Sequence, residues 1–147
     1  GTLTFYNNTF VGNTANNALG FSINTNLTVI ARNNILDGGD GGNKALRSHN
    51  LWVGITGYQT DASWTWGAGE MVYTNLDDVF INPAGHDYRL KPGSPAIGAG
   101  TNLSSIFTND FAANPRGGQW DIGAYLYVSL TNESLMLSAP GRLRVAD

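Results

Sequence analysis

The sequence predicts an all-β chain built as a solenoid, a stack of similar coils, and three observations carry that reading. The first is composition: 147 residues hold 19 glycines and 17 asparagines, both types that tolerate left-handed backbone and tight turns. The second is texture. Short strand-like runs such as LTFY (3–6) and LTVIA (27–31) recur, with no helical spacing of apolar residues. The third is repetition. NNTF (7–10), NNIL (33–36) and HNLW (49–52) each place an asparagine two positions before a large apolar side chain: Asn8 before Phe10, Asn34 before Leu36, Asn50 before Trp52. A period in the twenties with strand alternation is the mark of stacked coils, because one coil cannot bury its own apolar face.

The elements follow in order. Aligning Asn8 with Asn34, an offset of 26, sets TLTFY beside LTVIA: Leu3 meets Val29, Phe5 meets Ala31 and Phe10 meets Leu36. The next offset is 16, so the third turn is compact; Leu36 meets Trp52, and Ala31 meets Arg47 in a poor match. Phe10, Leu36 and Trp52 then form one interior file. Asparagine is a poor strand residue, so its recurrence needs a cause. At a sharp bend its amide can bond the amide above and the amide below, and also serve backbone groups the bend leaves open. Asn8, Asn34 and Asn50 are therefore expected to be a structural ladder.

Beyond the coils the texture changes. DDVFINPAGHDYRLKPGSPAIGAG (77–100) and DFAANPRGGQWDIGAY (110–125) resemble the closing segment of secreted bacterial right-handed parallel β-helix proteins of the "choice-of-anchor" type, which share the pectate-lyase-like fold. The repeats at NNTFVG and NNILDG look like the last coils of that fold. Leu126 and Gly98 stand where the family pattern usually carries acidic residues. The resemblance implies a right-handed parallel β-helix, an extracellular or cell-surface location, and a family containing polysaccharide-active enzymes as well as non-catalytic surface proteins. The expected organisation is last coils at 1–60, an irregular aromatic-rich loop and C-terminal cap at 61–127, and a tail of short strands or the start of an attachment region at 128–147. Lys91-Pro92-Gly93 and Ser94-Pro95 force a turn, with Tyr88, Leu90, Ala96 and Ile97 packing around it, and the segment is expected to lie as a lid over the last coil. The chain opens at Gly1 directly on a strand. That favours preceding coils in the natural chain, or a partner chain, covering the N-terminal face.

Charge and composition exclude some classes. A net charge of −3 with 13% charged residues argues against a nucleic-acid binder, which needs a basic patch. The 41% hydrophobic content is that of a folded domain, and no apolar run has transmembrane length. No cysteine is present, so disulfides say nothing of the compartment.

Candidate sites are few. DGGDGGN (37–43) offers Asp37, Asp40 and Asn43 as oxygen ligands for calcium, the one cofactor the residues suggest; the plainer reading is a flexible turn. β-Helix lyases need a base near the sugar C5 and a cation to neutralise the uronate. Lys44, Arg47 and His49 cluster beside that loop and are the candidates for such chemistry, against a plainer reading as solvated strand charges. Trp64, Trp66 and Tyr73 in SWTWGAGEMVY (63–73) could present rings to a sugar face or bury against a flank. No serine–histidine–aspartate order or histidine pair of metal-binding spacing stands out. His86 reads as a turn residue. The chain reads as a terminal module, structural or carbohydrate-binding. The alternatives are part of a polysaccharide lyase or hydrolase with its active site upstream of residue 1, and a non-catalytic adhesin.

Overall fold

The structure, a computed structural model, describes residues 1–12, 28–37, 46–54 and 66–129. These residues are all-β, and two parallel sheets organise the first half. Strands β1 (Thr2–Tyr6), β3 (Thr28–Arg32) and β5 (Leu46–Ser48) make one sheet in that order. Strands β2 (Thr9–Phe10), β4 (Ile35–Asp37), β6 (Leu51–Val53) and β7 (Met71–Tyr73) make the other. Each strand of the first sheet runs through a two-residue bend into its neighbour in the second. The registers follow the sequence offsets: Leu3 lies opposite Val29, Phe5 opposite Ala31, Phe10 opposite Leu36 and Leu36 opposite Trp52.

The bends explain why asparagine comes in pairs. Asn7, Asn33 and His49 all sit at positive φ (51°, 57° and 54°), and Gly69 continues the file at 68°. A left-handed residue turns the chain sharply between strands, and asparagine and glycine carry the smallest penalty there. The residue after it, Asn8, Asn34, Asn50 or Glu70, starts the next strand run. A fourth layer thus follows the third at an offset of 20. Met71 pairs with Leu51 and Tyr73 with Val53, so the stacking passes the expected boundary at residue 60.

Alternation gives the second sheet two buried faces. Leu36 and Trp52 point toward the first sheet, where Phe5 meets Phe10 edge-to-face at 6.4 Å and Arg47 lies 5.8 Å from the Trp52 ring. Ile35, Leu51 and Val53 point the other way, into a core shared with Val79, Phe80, Leu90, Ala96 and Ile122. Those last five come from the chain after the stack. Strands β8 (Phe80–Asn82) and β9 (Asp87–Leu90) pair antiparallel through a 3-10 turn at Pro83–Gly85. Asn82 caps that turn by accepting from the Gly85 amide at 3.1 Å, and His86 closes it in left-handed conformation.

The segment after β9 lies along a flank, which differs from the expected lid over the end. Its stretch at 121–124 touches the first two layers: the Gly123 amide donates to the Asn33 carbonyl (2.7 Å), and the Ala124 amide to Thr9 Oγ1 (3.0 Å). Val79, Leu90 and Ala96 share one buried apolar cluster with Leu51 and Val53 of the third layer. The reason is apolar: Ile35, Leu51 and Val53 need a cover on the sheet's outer face, and burying each contributes about 1.5–3 kcal/mol. Among the described residues no helix is long and apolar enough to cross a membrane.

Candidate functional site

The bend residues form two files with different tasks. The inward file is a hydrogen-bonded chain. Asn8 Nδ2 and its backbone amide both donate to Asn34 Oδ1 (3.0 Å each). Asn34 donates in the same way to Asn50 Oδ1, at 2.9 and 3.0 Å. Asn50 Nδ2 donates to Glu70 Oε1 (2.9 Å), and Glu70 Oε2 accepts from the Gly67 amide (2.9 Å). Each amide also reaches a carbonyl, Asn34 that of Phe5 and Asn50 that of Ala31. Glu70 is a member that sequence reasoning did not name. The available signal was a polar residue two positions before Val72, with Gly69 in front of it.

The outward file clamps the closing segment. Asn7 Nδ2 donates to the carbonyls of Asp121 (2.8 Å) and Gly123 (3.0 Å). Asn33 exchanges bonds with Thr101, donating from Nδ2 and accepting at Oδ1, both at 2.8 Å, and also donates to Asn7 Oδ1. Two carboxylates and one guanidinium hold that segment's own shape. Asp121 accepts from the amides of Gly98 (2.7 Å) and Tyr127 (2.6 Å). Asp110 accepts from the amide and side chain of Asn114 and from the Leu126 amide. Burial alone would raise the Asp110 carboxyl, but these donors together with the Ala112 amide hold it below the ordinary carboxylate value. Arg116 donates to the carbonyls of Asp121, Gly123 and Ala124 and lies over Trp120 at 5.4 Å. Burial lowers its guanidinium's affinity for a proton, and Asp110 and Asp121 oppose that shift.

The sequence-derived candidates are distributed unevenly. Arg47 is on β5 with its side chain 3% exposed, 3.8 Å from a Glu70 carboxylate whose side chain is 0% exposed. Its charge serves the ladder's end and the Trp52 ring, which is how the poor match with Ala31 is accommodated. The His49 ring packs on Gly69, where an added Cβ would come within 2.5 Å of Cδ2. Asp37 accepts from the Gly12 amide (3.0 Å) and tethers the layer before it. Among the described residues no group of three acidic, histidine or cysteine side chains could hold a metal ion. Trp66 is 46% exposed and Tyr73 lies at the exposed end of β7. Asp40, Asn43, Lys44 and Trp64 lie outside the described residues.

Among the described residues a cleft of about 470 Å³ lies between the first bend and the closing segment. Six of its described lining residues are aromatic: Tyr6, Phe10, Tyr88, Phe107, Phe111 and Tyr125. Phe111, 80% exposed, meets Tyr125 edge-to-face at 5.7 Å and forms the lip. Asn8 and Asn109 supply amides, while the two charged lining residues, Asp110 and Arg116, are buried in the bonds already described. Tyr125 and Asp110 also line an adjoining hollow of about 660 Å³ beside Leu90, Pro92 and Tyr127. Aromatic faces with a few polar groups are the usual furniture of a small-molecule or sugar site. Sequence reasoning missed this cleft because its walls come from residues about a hundred positions apart. No family model matches the chain, and none of the curated proteins matches it.

Proposed function

We propose that this chain is the terminal module of an extracellular right-handed parallel β-helix protein that engages polysaccharide, and that the aromatic cleft between the first bend and the closing segment is where it does so. What supports the β-helix reading is the parallel pairing of successive strand–bend–strand layers at offsets of 26, 16 and 20 residues, together with the family resemblance of residues 77–125. The observation that carries the binding reading is the cleft itself, with six aromatic rings and the exposed Asn109 side chain in one concavity. Rings stack on the C–H faces of sugars, and amides bond hydroxyls. Of the described candidates for a base, Arg47 lies 3.8 Å from the Glu70 carboxylate and the His49 ring packs on Gly69, and neither lines the cleft.

Affinity electrophoresis through gels containing soluble polysaccharides tests the reading. The expected result is retardation by at least one glycan, weakened about tenfold or more by Phe111→Ala. Migration indifferent to every glycan defeats it. Release of unsaturated products from a uronate polysaccharide by this chain would turn the reading toward a lyase.

A further inference from the structure

We infer that the closing segment carries a second binding site, in the hollow of about 660 Å³ beside Arg89, and that it takes a small organic acid: a carboxylate on an aromatic or branched apolar body. The inference goes beyond the glycan reading and stands on the closing segment alone, since the described lining residues all lie between Ile81 and Ser129. Ile81 on β8, Leu90 on β9, Pro92, Tyr125, Tyr127 and Val128 give the hollow apolar and aromatic walls, and its volume is that of a small-molecule pocket. Hydrogen bonds fix those walls. Asp110 accepts from the Leu126 amide (2.8 Å) and Asp121 from the Tyr127 amide (2.6 Å), while the pairing of Phe80 with Leu90 joins β8 to β9. An apolar body therefore meets a preformed surface, and little binding energy is lost to ordering it.

Arg89 supplies the charge. Its side chain lines the same hollow and is 63% exposed. Nε donates to Asp87 Oδ1 (2.8 Å) and Nη2 to Asp87 Oδ2 (2.6 Å). That pair occupies one edge of the guanidinium and leaves Nη1 outside it. The adjacent edge, Nη1 with Nη2, is a second fork of carboxylate geometry. The ion pair itself lies in water, where such pairs are weak, so a ligand carboxylate competes with Asp87 for the guanidinium. Asp110 also lines the hollow, but it is 8% exposed and bonded to Asn114 and Leu126, so it does not face a ligand as a bare anion. A cation beside apolar walls matches an anionic head on an apolar body. A neutral molecule of the same shape has the walls alone.

The test is titration of the whole chain with 2-naphthoate and with its neutral counterpart 2-naphthalenemethanol, followed by calorimetry. The acid should bind about tenfold or more tightly than the alcohol. Arg89→Gln should remove that difference by weakening the acid alone, and Ile81→Ser should weaken both ligands. Both substitutions fall on exposed residues, and circular dichroism checks that the variants keep the fold. Acid and alcohol binding equally, acid binding untouched by Arg89→Gln, or no binding of the acid at millimolar concentration each overturns the inference. None of these outcomes bears on glycan retention at the aromatic cleft, so the two readings fail separately.

Discussion

Gly69 and Gly12 share a positive φ, 68° and 78°, but not a neighbourhood. An alanine Cβ at Gly12 meets nothing within 4 Å, whereas at Gly69 it drives into the His49 ring. Gly12→Ala should therefore cost about 1–2 kcal/mol, the left-handed penalty alone. Gly69→Ala should cost a further 1–3 kcal/mol or so from overpacking. Urea unfolding of the two variants checks the order, and equal losses would show that the His49 ring moves aside freely. Asp110 makes a second case at this scale. Its folded carboxyl is held below its unfolded value, so its contribution is fully present above about pH 4 and is lost as pH falls through the lowered value. Asp110→Asn should cost about 2–3 kcal/mol at pH 7, from charge-assisted bonds. The gap to the parent chain should shrink at pH 3; a gap that stays constant would mean the ionised form contributes nothing special.

The ladder belongs to the scale of elements, because each amide joins two strands of different layers. Removing Asn34 breaks it in the middle. Asn34→Ala leaves the Asn8 amide and the Phe5 carbonyl without their side-chain partner and frees Asn50 Oδ1 of one donor. About 3 kcal/mol should be lost, since buried groups left unsatisfied carry the full desolvation cost. Asn8→Ala, which bonds a neighbouring layer on one side only, should cost less than half as much. Thermal melts of the pair decide it: if the end position costs as much as the middle one, the amides act singly. The sheet's outer face offers a contrast in the same experiment. Ile35→Ala, fully buried against the closing segment, should lose about 3 kcal/mol. Leu46→Ala, 60% exposed on β5, should stay within about 0.5 kcal/mol.

Across the whole molecule, what joins stack to closing segment is a short list of polar bonds over an apolar seam. Arg116 organises 121–124, and that stretch bonds to Asn7, Thr9 and Asn33. Arg116→Lys keeps the charge but loses the fork that reaches three carbonyls. We expect the closing segment to loosen before the stack melts: faster proteolytic cleavage within 100–127, and binding of a hydrophobic dye to the uncovered face of Ile35, Leu51 and Val53. A single cooperative loss of about 2–3 kcal/mol with no early cleavage would instead mean that seam and stack unfold as one unit.

The sequence alone determined the layers. Asparagine pairs at 7–8 and 33–34, and His49-Asn50 after them, announced both the bend and the strand register, because left-handed backbone and inward amides restrict residue type at those positions. It also announced the turn at Lys91–Ser94, since proline and glycine constrain φ locally. Glu70 escaped because it performs an asparagine's task with a different side chain. Only the tertiary structure decided the rest. The closing segment's flank position depends on which apolar face remains uncovered once the sheets have formed, a global property with no local spacing. The burial of Arg47, which looked like an available cation, follows from its partner Glu70 one layer away. The aromatic cleft is written into no motif, since Tyr6 and Phe10 line one concavity with Phe107, Phe111 and Tyr125 only because the chain folds back along its own sheet.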